Sequence, residues 1–336
     1  KGNKAVLSRQ LGVPQSYYRG EGDNVVVLVD NVRDSNFYDQ NNASTLPYIA
    51  GFYWSLFDAY FDRTVMSIDA WDWIHRTGPD PLHEPSGDPC TSAPARPFLY
   101  EGVFSHEYQH LLHYYTDPFE TTWLNEGLSD FAQTLTGYVD GTRTVFDRGA
   151  DSHLYCFQGF GTVQTPFNTN PRDCGGPENS LNLWGEGGNP NAVLADYGNA
   201  FSFTLFLFDR YGTDFVSRLH QDGALQGLAS LDAALEAEGV SDMYQVIHDF
   251  QSMVLLDKIV GDPRNSVVLG VPKSRVTTPS LRSTINLDNP NINDDPGAAP
   301  NGADFVPLKN ASGQVLKGRD LRSLSFLGAQ ELPAIT

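Results

Sequence analysis

HEYQHLLHYYTDPFETTWLNEGLSD, residues 106 to 130, decides how this chain is read. His106 and His110 stand four apart with Glu107 between them, and Glu126 follows sixteen residues after His110. Positions i and i+4 of an α-helix share one face about a turn apart. Two imidazoles on one rigid element can therefore grip a single small cation. Zinc sites built for catalysis use three protein ligands and keep a fourth position for water, and two histidines with one glutamate form one of the recurring triples. Asn125-Glu126-Gly127-Leu128-Ser129-Asp130 supplies the third ligand from what reads as a second helix. Asp130 stands one turn further along and can accept a hydrogen bond from a ligating imidazole, the partner that fixes its tautomer and orientation.

A lone HExxH pentapeptide has three fixed positions and arises by accident on amphipathic helices. The second half, NExxSD, is what separates a metal site from two surface histidines. HExxH followed by NExxSD resembles the gluzincin metallopeptidases, the group that includes thermolysin, and more closely the secreted bacterial enzymes of the immune inhibitor A and hyicolysin type. Phe98-Leu99-Tyr100 ahead of Ser105 to Tyr114 carries the likeness, as does Tyr197-Gly198-Asn199-Ala200-Phe201 with Arg210-Tyr211-Gly212. It spans roughly residues 60 to 212. The resemblance implies that His106, His110 and Glu126 hold Zn2+, that Glu107 is the general base, and that Asp130, with Asn125, supports the ligands from behind. It also implies secretion.

Neighbouring readings fail on the residues. Metzincins place a third histidine six residues after the second, past a glycine turn, whereas here positions 113 and 116 are His and Thr. His113 lies two helical turns beyond His106, roughly 10 Å along the axis, too far to share one metal, and is expected to be a packed or rim residue. No GxMEN-like stretch, which aminopeptidases of this group use to hold a free amine, precedes His106. In the resembling enzymes the oxyanion donor is a Tyr or His several dozen residues past the glutamate ligand. Tyr197, after a Gly/Asn/Pro-rich loop, is the expected donor; His153, His220 and His248 fit less well.

The expected chemistry is peptide hydrolysis by a metal-activated water with Glu107 moving the proton. An exopeptidase using the same site is the alternative, and a non-catalytic surface protein with a structural metal is a third reading. A retained Glu107 argues against the third, since a structural site has no use for a base. Protein or peptide substrates are the expected partners, and the chain is expected to act as a monomer.

Composition fits an exported enzyme. The 336 residues carry 41 acids against 22 bases, a formal net charge of −19, which argues against nucleic acid or an anionic membrane as partner. No apolar run approaches the roughly 18 residues of a membrane span. The start at Lys1, without Met or signal peptide, suggests a mature or trimmed product. Of three cysteines, Cys156 and Cys174 stand eighteen apart and suit a disulfide in an oxidising compartment. Cys90 can instead pair with either, and three free thiols remain the alternative.

The expected fold is α+β, a zincin-like catalytic domain of mixed sheet and active-site helix, followed by a mainly helical lobe and a short β-rich tail. The corresponding divisions are 1–140, 141–262 and 263–336. Strands are expected at Asn24–Asp30 and Thr64–Asp69. Tyr48, Phe52, Leu56, Phe57 and Tyr60 repeat at helical spacing within Leu46–Asp62. Six prolines between Gly78 and Pro97 exclude regular structure there. Ligand helices are expected over Phe98–Tyr115, with Leu99, Val103, Phe104 and Leu111 as the apolar side, and Leu124–Tyr138, with Phe131 and Leu135 packing inward. Helical patterns follow at Ala200–Tyr211, Leu225–Gly239 and Asp242–Ile259, and short strands at Ser266–Val271. In the tail, Asp288, Asp294 and Asp295, with Asp304, offer oxygen ligands for Ca2+; a solvated turn-rich linker is the plainer reading.

Overall fold

The computed structural model describes residues 25–39, 48–61, 63–81, 95–143, 149–157, 174–176, 179–185 and 192–260. Short pieces at 267–268, 271–272, 300–303, 310–314 and 316 complete it. Cys90 and the four tail aspartates proposed for calcium lie outside the described residues. By its internal contacts the chain forms two compact units, residues 1–280 with 298–303, and residues 281–297 with 304–336. In the second, a turn at 310–314 is closed by the Asn310 N–H donating to the Gln314 carbonyl at 2.9 Å.

The first unit is a mixed α/β structure. Strands β1 (Val26–Asp30), β2 (Gly51–Tyr53) and β3 (Val65–Asp69) form a sheet in the order β1-β3-β2. β1 runs parallel to β3 with Val26 opposite Val65, and β2 runs antiparallel to it with Gly51 opposite Ile68. All five residues of β3 are buried, as expected of a central strand paired on both sides. The helical spacing across Leu46–Asp62 does not survive in its first half: Gly51–Tyr53 is an edge strand, and only α2 (Ser55–Phe61), after the short α1 (Ser35–Tyr38), is helical. Pairing with β3 overrides a local periodicity that four aromatics and Leu56 produced by themselves.

Helix α3 (Leu99–Tyr114) packs on β2 and β3, and α4 (Thr122–Leu135) packs against α3. α6 (Val193–Tyr211) lies on the other side of α4 and also contacts α5 (Leu154–Phe157). α7 (Thr213–Gln221), α8 (Leu228–Ala237) and α9 (Met243–Val260) complete nine helices among the described residues, with a two-stranded ribbon of β4 (Val267–Val268) and β5 (Val271–Pro272) after them. α6 is buried almost continuously from Ala195 to Leu207, the mark of a helix surrounded by others. Phe201, Phe203 and Phe206 are essentially inaccessible there, and each contributes about 1.5–3 kcal/mol by leaving water. Cys156 and Cys174 are joined in a disulfide, with Cα atoms 5.2 Å apart.

Two expected core positions face out. Phe104 is 38% and Leu135 56% exposed. The buried side of α3 is instead mostly polar, with Ser105, Glu107, Gln109 and His113 alongside Tyr100 and Leu111. α3 turns a polar face toward α4 and the sheet, so hydrophobicity is a poor guide to its orientation. No described helix is long and apolar enough to cross a membrane.

Candidate metal centre

His106 and His110 occupy consecutive turns of α3, and Glu126 sits in α4 opposite them. His106 Nε2 and His110 Nε2 are 3.0 Å apart, and each is 3.2 Å from Glu126 Oε2. A tetrahedral zinc site with ligand bonds of about 2.0 Å has ligand-to-ligand edges of about 3.3 Å, so these three atoms have the spacing of one tetrahedral face. The backs of both rings are already engaged. His106 Nδ1 donates to Asp130 Oδ1 at 2.7 Å, and His110 Nδ1 to Asn125 Oδ1 at 2.9 Å, with Ser129 Oγ also 2.9 Å away. With Nδ1 spent on each ring, the Nε2 atoms and a carboxylate oxygen face a common point. Glu126 Oε2 is buried there with no aligned hydrogen-bond donor. A divalent cation satisfies such a set, and the residues fit one.

The charge balance points the same way. Burial opposes charge on His106 and His110, yet Asp130 and Glu126 hold the first well above the usual histidine range and Glu126 raises the second. Burial would raise Glu126, but attraction from His110 and His106 brings it down to about 2. This pocket therefore demands positive charge, which protons or a metal ion can supply in competition.

Glu107 offers an oxygen within 4.8 Å of ligand atoms of His106 and His110. Its Oε2 accepts a 2.7 Å hydrogen bond from the Tyr53 N–H of edge strand β2. Edge strands carry such unpaired N–H groups, and this one fixes the carboxylate. Burial, outweighing the imidazoles, raises the Glu107 pKa, which suits a group that must take up a proton near neutrality.

Gly127 explains how α4 brings Glu126 and Asp130 into place. A Cβ there would lie 2.8 Å from Thr204 Oγ1 and 2.9 Å from the Ala200 carbonyl oxygen, so α4 and α6 meet at backbone distance beside the ligand. Gly198 plays the same part between α6 and α5, where a Cβ would come within 2.6 Å of the His153 carbonyl oxygen.

That close approach places Tyr197 and His153 together at the centre. The Tyr197 ring lies 6.4 Å from that of His106 and stacks on His153 at 4.7 Å. Burial and then the charges of Glu126, Asp130 and Glu107 keep its phenol protonated. His153, set aside in the sequence as a polar-loop residue, donates from Nδ1 to Asp130 Oδ2 at 2.9 Å. Asp130, wholly buried, thus binds His106 through one oxygen and His153 through the other. Burial opposes the charge on His153, but Asp130 and Asp151 overcome it and lift its pKa to about 10. Its partner lies 23 residues earlier, and only the Asp151-Ser152-His153 spacing hinted at an oriented ring. His248, on α9, takes no part among the described contacts at this centre.

A cavity of about 300 Å³ opens on this centre, lined among others by Ile49, Arg96, His106, Glu107, His153 and Tyr197. The chain matches no family model and no curated protein.

Proposed function

We propose that the protein is a zinc endopeptidase of the gluzincin type, and that the first unit is a zincin-like catalytic domain. The observation that carries this reading is the triangle of His106 Nε2, His110 Nε2 and Glu126 Oε2, with edges of 3.0–3.2 Å, beside an open cavity lined by His106 and Glu107. When bound, zinc supplies Lewis acidity that polarises a carbonyl and acidifies a water. Glu107, anchored by Tyr53 and raised by burial, takes the proton of the attacking water and passes it to the departing amine. The hydroxyl of Tyr197 and the charged ring of His153 are the donors available to a developing oxyanion. Asp130 fixes the orientation of both the His106 and the His153 rings, coupling the ligand side to the donor side.

Endopeptidase activity is favoured over trimming of chain ends because Gly51 of edge strand β2, with Ile49 and Ala50 leading into it, lines the cavity. An edge strand can hold an extended peptide through its backbone groups. The Cys156–Cys174 disulfide supports an oxidising, extracellular setting. Incubation of the zinc-loaded chain with unfolded casein, followed by mass spectrometry of the products, tests the proposal. Internal cleavage sites that vanish in Glu107→Gln, with zinc content unchanged, are expected. Full activity of that variant, or release of terminal residues alone, sinks it.

A further inference from the structure

The C-terminal end of α3 carries a second cluster. His113, Asp117 and Glu120 each offer a ligand atom within 4.8 Å of the others. His113 is 1% and Asp117 3% exposed. His113 Nε2, Asp117 Oδ2 and Glu120 Oε2 are all buried atoms without a hydrogen-bond partner. Buried polar atoms are rarely left unpaired, and each orphan costs about 1–3 kcal/mol. Three of them in one cluster need a common explanation.

Each residue is also held from behind. His113 Nδ1 donates to Asn125 Oδ1 at 3.1 Å, leaving Nε2 as the free ring nitrogen. Asp117 Oδ1 accepts from the Phe119 N–H at 3.0 Å. Glu120 Oε1 accepts from the Gly227 N–H at 2.7 Å and the Thr121 hydroxyl at 2.9 Å. One atom of every side chain is thus fixed while the other is left unbonded. The His113 ring is neutral near pH 7, because burial and then the nearby His110 push its pKa down to about 4 despite the bond to Asn125.

We propose that His113, Asp117 and Glu120 form a second binding site for a divalent transition-metal ion. One imidazole with two carboxylates suits Zn2+ or Mn2+, whereas Ca2+ takes oxygen ligands alone. The ion would fasten the loop between the two ligand helices to the helical half, where Thr116 already donates to the His220 carbonyl at 3.0 Å. The site is independent of the peptidase reading.

The test is a Zn2+ titration of chelator-treated full-length protein, read by calorimetry and metal analysis. Wild type should take up two equivalents. Asp117→Asn with Glu120→Gln, which keeps the acceptors for Phe119 and Gly227, should take up one; so should His106→Ala with His110→Ala. In the latter variant Zn2+ should still raise the melting temperature by several degrees, as a ligand selective for the folded state does; combining all four changes should remove that rise. Wild type binding one equivalent that the Asp117/Glu120 variant retains, the Asp117/Glu120 variant binding as much as wild type, or Ca2+ displacing Zn2+ at equal concentration overturns the proposal. A one-equivalent loss in the Asp117/Glu120 variant alone, with none in the His106/His110 variant, leaves this site standing and removes the catalytic centre instead.

Discussion

The two ends of the polar face of α3 are built alike and differ in what surrounds them. At one end His106 and His110 meet Glu126; at the other His113 meets Asp117 and Glu120. One atom, Asn125 Oδ1, takes a hydrogen bond from His110 at 2.9 Å and another from His113 at 3.1 Å, so the same amide orients a ring in each cluster. Carboxylates in bonding contact dominate the first cluster and raise its imidazoles. In the second, burial wins, lowering His113 and also His220, which stacks on it at 4.8 Å. The first adds Glu107 and opens on a cavity; the second is walled by the loop at 116–121 and the residues near Gly227. On the proposed reading, residues able to hold a metal do not by themselves make a catalytic site. Access, a free base and donors for developing charge do.

The sharpest way to break this contrast is Glu107→Gln. It should lower casein cleavage by about 10²–10⁴-fold, the usual contribution of a positioned proton carrier, without loss of bound zinc; kinetics and metal analysis on one sample check both halves. Tyr197→Phe should reduce kcat by about 10²-fold, as loss of one oxyanion donor does elsewhere, with little change in KM. A fall under about twofold would make the ring a packing element over His153. Asp130→Asn removes the charge shared by His106 and His153 and should weaken zinc about 10–100-fold, measured by competition with a chromophoric chelator. The smallest effect expected is on stability. Gly127→Ala should cost about 1–3 kcal/mol in urea unfolding, because the new methyl meets the backbone of α6, and should weaken zinc as Glu126 is displaced. An unchanged midpoint would show that α4 and α6 can separate freely there.

Much of the candidate centre was legible because helical spacing is local. Four residues set His106 above His110, and four more set Glu126 below Asp130. The exposed Phe104 and Leu135 were misread for the complementary reason. Hydrophobicity marks the core side of a helix only where that side is apolar, and much of the buried side of α3 is polar. The strand at Gly51–Tyr53 was hidden within aromatic spacing and depends on pairing with β3. His153 had little local signature beyond Asp151, since Asp130 and Tyr197 arrive from α4 and α6.

By itself the sequence determined the residue types and spacings of a two-histidine, one-glutamate set, the acid standing between the two histidines, the pairing of Cys156 with Cys174 as one of several options, and the acidic character of the chain. These are properties of one segment or of composition, and they need no knowledge of neighbours. The tertiary structure decided which oxygen faces which ring, that Asp130 joins two histidines, that one cysteine pairing is realised, and that His113 ends beside Asp117 and Glu120 with its Nε2 unbonded. Those outcomes rest on close backbone approach at Gly127 and Gly198 and on burial, which set distances and pKa values only after separate helices have packed.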